Sequence, residues 1–487
     1  MMENIIQALL EINKFKLLQI IILVWFIYIF LTAVLIFAHT KPISPDYMSN
    51  SLVANFYAEE VGPDRGILID NPLDSGLARL KIINDAQETL NISYFSIETG
   101  ESPNLFFGAL LEAADRGVKV NLLLDGIFHG IKGEFKPIMY TFMLHPNMNL
   151  KLYEPLNLLK PWTLNNRMHD KYIIADNQVA IIGGRNIGDK YFAPEWYNYK
   201  VTNDRDVIVI NTDLEDLTSV VYQMSNYFEK IWHHQYAKPV NKIVYKIRHR
   251  MASRKSAELK EKFALAKEIN QDILQKPIDL IDVSFPTNKI TFIHNPLDRF
   301  AKEPWCWYEI TQLMKYADDS IFIQSPYVIP SKGMIKGFLN KDDFIDKEIF
   351  LLTNSLGSTP NLPAYSGYLN HRKSIVDKDI NVFEFQSEDS LHTKAFVFDS
   401  ELVAIGSFNL DHRSAYLSTE SMVVIHSAEG VKKLEEGLAS YVKESLLVDR
   451  DYNYVTDKNV AEIPVHPIKR IIINSLSYIV KWFEYLL

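Results

Sequence analysis

The sequence predicts an α/β fold of two homologous-looking halves in one chain, preceded by a transmembrane helix. Three observations carry this. Apolar β-forming runs alternate with helix-like stretches through most of the chain, the pattern of layered α/β proteins. A motif of fixed internal spacing occurs twice, and a repeat on that scale marks duplicated units. Residues 17–38 are apolar apart from Gln19 and Thr32, and a helix of that length spans about 33 Å at ~1.5 Å per residue, enough to cross a bilayer.

That apolar run opens a first segment, residues 1–45, predicted to be a retained membrane anchor. It exceeds the ~7–15 residues of a signal-peptide core and lacks a small-x-small cleavage site. Lys14 and Lys16 precede it and Lys41 follows, which leans toward an internal N-terminus and an external catalytic region. The 487 residues leave ample chain for two cores, and 47% hydrophobic with 23% charged residues is ordinary for a globular protein. A net charge of −9 argues against a polyanionic partner. The single cysteine, Cys306, excludes an intrachain disulfide and a cysteine-based metal site.

In the first half, residues 46–235, helices are expected over 77–87 and 103–115, and strands over 90–97 and 118–125. A basic linker, 236–282, follows; its stretch 253–275 is helix-forming and reads as a solvated linker helix or one lying on anionic headgroups. The second half, 283–450, repeats Asn71-Pro72-Leu73-Asp74 as Asn295-Pro296-Leu297-Asp298. It has an expected strand at 320–324 that breaks at Pro326. The tail, 451–487, mixes Lys469, Arg470 and Lys481 with Ile, Leu, Trp and Tyr after Pro467, which suits an interfacial amphipathic helix or one docked on the core.

The duplicated motif is Met168-His169-Asp170-Lys171 with Asp176 and Gly183-Gly184-Arg185-Asn186, matched by Leu391-His392-Thr393-Lys394 with Asp399 and Gly406-Ser407-Phe408-Asn409. Both read His-x-Lys, four residues, Asp, six residues, Gly-x-x-Asn. Residues 172–175 and 395–398 are short apolar runs expected to be buried strands. Period two then puts each histidine and lysine on one face. The aspartates fall in the turn and are expected to brace the hairpin. Asn186 and Asn409 are placed to supply amide donors near the pocket. Two imidazoles and two ammoniums suit attack on a phosphodiester. One neutral imidazole attacks phosphorus, the other protonates the leaving alkoxide, and lysines hold the non-bridging oxygens. No metal or cofactor is needed.

The paired motif resembles the phospholipase D superfamily, and in detail the bacterial cardiolipin synthases, especially the C-type. Gly183 to Phe192, Ala113 to Val118, Ser325-Pro326-Tyr327 and Thr353-Asn354-Ser355-Leu356 carry the finer likeness. The resemblance covers roughly residues 65–450 and implies a phospholipase D-type α/β sandwich for each half. It implies His169, Lys171, Asp176, His392, Lys394 and Asp399 as the catalytic set, with Ser407 and Tyr327 contacting phosphate. Many relatives have Ser where this chain has Gly184. The resemblance also implies that Glu420 orients an imidazole from behind, and Asp206, entering the comparable strand, is the expected counterpart.

The implied reaction transfers a phosphatidyl group at the bacterial inner membrane. The partners are phosphatidylglycerol and a donor that is either phosphatidylglycerol or phosphatidylethanolamine, with no nucleic acid expected. The same residues also serve lipid hydrolases and nucleases, and a non-catalytic membrane scaffold is the reading from another class. The acidic charge and the anchor argue against a nuclease, and two intact motifs argue against a scaffold.

Overall fold

The computed structural model describes residues 14–240, 244–276, 279–300, 302–336, 338–339 and 341–487. Two mixed sheets form its centre. The first runs in the order Phe285–Pro286, Asp64–Ile69, Asp206–Asn211, Val179–Gly183, Lys171–Ala175, Thr89–Tyr94, Lys119–Asp125, Met148–Tyr153, Ala237–Pro239. The second runs Lys289–His294, Ser421–His426, Leu402–Gly406, Ala395–Phe398, Ser320–Gln324, Glu348–Asn354, Asn381–Phe385, Ser445–Leu447. Leaving out Phe285–Pro286, the two orders correspond strand for strand, so the halves share one topology.

The strands are apolar on both faces because both faces are covered. Inner-face residues of the two sheets, among them Tyr172, Ile182, Val207, Val397, Ile405 and Val423, meet in a single core. Helices cover the outer faces, over Ile92, Ile173 and Ile208 in the first half and over Ile323, Phe396 and Val424 in the second. The helix Pro72–Asp85 starts at the Asn-Pro pair, with Asn71 accepting from the Leu73 and Asp74 amides at 2.9 and 3.1 Å. Its repeat, Asn295, reaches instead to the Cys306 amide at 3.1 Å, at the head of helix Trp305–Tyr316.

The basic segment after the first half is not a free linker, because one face of it packs on that half. Strand Ala237–Pro239 edges the first sheet. Helix Lys246–Ile269 packs on helices Glu101–Asp115 and Lys136–Leu144, with Leu259 and Phe263 fully buried. Its lysines turn to acids of the first half, Lys262 to Glu101, Lys267 to Glu112 and Lys260 to Asp115. Gly108 permits the approach, since a Cβ there would lie 2.4 Å from the Leu259 carbonyl oxygen. Helix Pro467–Val480 docks on helix Leu362–Val376 through Ile473 and leaves Ile468, Ile471 and Tyr478 exposed. Helix Lys14–Ala33 keeps its apolar side chains exposed over most of its length, unlike a core helix, and has the length and composition of a membrane span.

Candidate active site

Each histidine stands just before a central strand and is held by the opposite half. Met168 bridges Thr419 in parallel, and the His169 amide donates to Thr419 Oγ1 at 3.1 Å. In the mirror arrangement, Ser390–Leu391 pairs in parallel with Thr202–Asn203, and the His392 amide donates to the Asn203 carbonyl at 2.7 Å. The carboxylates cross in the same way. His169 Nδ1 lies 3.0 Å from both Glu420 oxygens; His392 Nδ1 lies 2.6 Å from Asp204 Oδ2. Engagement of Nδ1 leaves Nε2 of each ring for chemistry.

The partner of His392 is therefore Asp204, not Asp206. Asp206 is sealed beneath the site between Arg79 at 2.8 Å and Arg185 at 2.6 Å, and accepts from Ser75 at 2.7 Å. Strand alternation puts Asp204 and Asp206 on one face, so parity does not separate them. Pairing does: Gly183 faces Asp206, and its repeat Gly406 faces Met422. Glu420, two residues before Met422, thus corresponds to Asp204. The first half also has a longer connection between its Asn186 and this carboxylate than the second half has from Asn409, which hides the register in sequence.

Ser407 is not placed to touch phosphate either. It is fully buried, its hydroxyl donates to Glu420, and it accepts from the Ser421 amide at 3.0 Å. Its counterpart Gly184 makes room for the other carboxylate, because a Cβ there would meet both Asp204 oxygens at 2.5 Å. Asp176 and Asp399 sit in matching left-handed turns, φ 53° and 50°. Asp176 accepts from the amides of Gln87, Glu88 and Thr89 at 2.7–2.9 Å. Asp399 accepts from Asp318, Asp319 and Ser320, each at 2.9 Å. Both clamp the hairpin to the neighbouring strand, away from the imidazoles.

Lys171 and Lys394 bend back to the carbonyls of His169 and His392, and Lys394 Nζ also lies 2.9 Å from His392 Nδ1. Burial lowers both ammoniums, Lys171 to about 7 and Lys394 to about 8. Burial, aided by Lys394, takes His392 down to about 3 and holds His169 well below the imidazole range with Lys171 and Lys394. The carboxylates diverge. Burial pushes Glu420 up to about 8. Burial would also raise Asp204, but Lys394 and His392 outweigh it and keep it below the ordinary carboxylate range.

A cavity of about 320 Å³ opens beside His169, lined by Phe95, Phe128, Tyr327, Asn409 and Arg413 among others. Tyr327 bridges the two sides of the site, its ring 6.2 Å from that of His392. Asn186 donates to Tyr191 at 3.2 Å, and the Tyr191 ring lies 5.7 Å from His392. The side-chain carbonyl oxygens of Asn186 and Asn409 are buried without a protein partner. Two imidazoles, two ammoniums and two amides thus converge beside an apolar-walled opening.

Comparison with known proteins bears on family and fold. The chain is 31% identical over 444 residues to an uncharacterized protein of Helicobacter pylori, covering 83% of this chain and 85% of that one. It is 28% identical over 398 residues to cardiolipin synthase C of Escherichia coli, covering 74% of this chain and 80% of that one. Among solved structures, phosphatidylserine synthase of Haemophilus influenzae has a similar fold, with a TM-score of 0.61 at 12% identity over 91% of this chain and 99% of that one. The family model described as cardiolipin synthase, PLD-like domain, matches residues 80–232 and again residues 310–441, one match in each half, and the chain belongs to that family.

Proposed function

We propose that this protein is a membrane-anchored phosphatidyltransferase that makes cardiolipin. The acceptor is phosphatidylglycerol, and the donor is a second phospholipid, phosphatidylglycerol or phosphatidylethanolamine. His169 Nε2 attacks the donor phosphorus, and the bond from phosphorus to the departing alcohol oxygen breaks. His392, charged once the anionic phosphodiester binds beside it, gives that oxygen its proton. A glycerol hydroxyl of phosphatidylglycerol then attacks the phosphohistidine, His392 takes its proton, and the phosphorus–nitrogen bond breaks to restore His169. Lys171, Lys394, Asn186 and Asn409 hold the non-bridging oxygens as negative charge builds on them. Glu420 and Asp204 hold the two rings in the productive tautomer.

One observation carries the reading: both His-Lys pairs converge, and His169 lines an apolar-walled cavity with Arg413 and Asn409. That combination suits a phosphodiester attached to hydrocarbon. The exposed apolar helix Lys14–Ala33 supports a substrate drawn from a membrane. The test is product analysis on membranes carrying the wild type or His169→Ala, given labelled phosphatidylglycerol with and without phosphatidylethanolamine. Cardiolipin from the wild type alone is expected. Phosphatidic acid in its place would make the protein a hydrolase, and no lipid product would sink the reading.

A further inference from the structure

The mouth of the His169 cavity is built from segments that surround the end of the apolar N-terminal helix. The connection after strand Met148–Tyr153 exposes Leu156, Leu158 and Leu159 at 52, 65 and 81%. Such a run on a loop tip is rare on a surface that meets only water. It is tied to the helix at two points. Tyr28 Oη donates to the Leu159 carbonyl at 2.8 Å, and Asn165 Nδ2 donates to the Ala33 carbonyl at 2.7 Å. Tyr28 lies about 7–8 Å before Ala33 along the helix at ~1.5 Å per residue, so Leu159 sits beside the last turns of the candidate span.

The C-terminal segment closes the other side. The turn Glu484–Leu486 meets Leu35–Ala38, which continues the helix. Arg413 ties the two sides together. Its guanidinium donates to the Leu486 carbonyl at 3.0 Å and to Asn165 Oδ1 at 3.0 Å, and its amide donates to the Leu487 carbonyl at 2.6 Å. Leu164, Leu486 and Leu487 line the cavity itself. Trp482 is 77% exposed on the same segment. A lysine stands beside each apolar tip, Lys160 after Leu158-Leu159 and Lys481 before Trp482, and both are exposed.

We propose that this collar seats in the leaflet that the N-terminal helix leaves, with the Leu158-Leu159 tip and Trp482 below the headgroups of an anionic phospholipid surface. Indole and leucine fit the boundary between headgroup and chain, and the two lysines reach back to anionic phosphates. A phospholipid then enters the His169 cavity from the side, without its chains crossing water. The proposal rests on the helix being a span and on the lipid reading of the site. The two hydrogen bonds to Tyr28 and Ala33 make the bilayer the occupant, because whatever surrounds that helix end also surrounds the loop.

The test uses the full chain in nanodiscs of phosphatidylglycerol and phosphatidylcholine. An environment-sensitive thiol label is placed by Leu159→Cys, Trp482→Cys or, as control, Leu217→Cys. Leu217 is exposed beyond the end of strand Asp206–Asn211 that points away from the site, and the buried Cys306 stays unlabelled. Lipids brominated on their chains should quench the labels at 159 and 482 several-fold more than the label at 217, and aqueous iodide should do the reverse. Equal iodide quenching at all three positions would overturn the proposal. So would shielding of 159 and 482 from both quenchers, which would place a second copy of the chain on the collar. The readout needs no turnover, so quenched labels on a protein that forms no cardiolipin would sink the functional reading and leave the seat standing.

Discussion

The strand that carries a carboxylate toward the site opens differently in the two halves. In the first half it reads Asp204-Arg205-Asp206, and in the second Glu420-Ser421-Met422. Asp206 locks into buried Arg79 and Arg185, where the second half has Met422 and Phe408, the latter stacked on Trp307 at 6.2 Å. Asp204 fits only because Gly184 has no side chain, whereas the longer Glu420 is met by Ser407. One topology thus supports two imidazoles with unlike electrostatics. Asp204 lies among cations that keep it ionised, while Glu420 is pushed to about 8 by burial. The comparison teaches that fold symmetry and role symmetry are separate, and that small residues behind the ring set the second.

The largest effects should come from the imidazoles. His169→Ala and His392→Ala are each expected to lower transfer by more than ~10⁴-fold. A lipid ester with a phenolate leaving group, which needs no proton, should restore much of the first step in His392→Ala and none in His169→Ala. Rescue of His169→Ala instead would exchange the two roles.

The carboxylates should separate next. Asp204→Asn is expected to cost about 10²–10⁴-fold in turnover, because it removes an ionised partner, and Glu420→Gln less. Their pH signatures have opposite sign. Asp204 is depressed in the fold, so its stabilisation is present above its usual 3.8 and is lost as the pH falls through the lower folded value. Glu420 is raised, so the fold keeps a proton that the unfolded chain releases above 4.5, and stability declines as pH rises from 4.5 to 8. Denaturant unfolding at several pH values should show that decline flattened in Glu420→Gln and retained in Asp204→Asn.

Exchanging the residues behind the carboxylates is a sharper and smaller perturbation. Gly184→Ser is expected to dislodge Asp204 and lower turnover about 10–100-fold, and Ser407→Gly, which removes one hydrogen bond, no more than about tenfold. Equal losses would mean that the two supports are interchangeable. The smallest kinetic effect belongs to the turn aspartates. Asp176→Asn and Asp399→Asn should each cost about 1–3 kcal/mol of stability and leave kcat nearly unchanged. A large kcat loss in either would place that aspartate in the chemistry.

Much of this was readable from sequence. The strands at 172–175 and 395–398 fall at Lys171–Ala175 and Ala395–Phe398, because short apolar runs between turn residues leave few alternatives. The His-x-Lys pairs announce themselves by repetition. What sequence did not yield depends on contacts between distant segments. Asp204 and Asp206 have equal parity, and only the strand opposite Gly183 tells them apart. The hydroxyl of Ser407 has two possible targets, and burial against Glu420 selects one. The lysines of 246–269 look unpartnered in sequence because Glu101, Glu112 and Asp115 are supplied by a helix more than a hundred residues earlier.

The crossing of the carboxylates works as a two-key lock on synthesis. When the ribosome has made residues 1–240, His169 and Lys171 exist, but Glu420 and the Thr419 hydroxyl that receives the His169 amide do not. When His392 is made, its carboxylate has long been waiting in the first half. A nascent or truncated chain therefore carries an unsupported imidazole, and the two-histidine centre assembles only when the last strands of the second sheet close against the first.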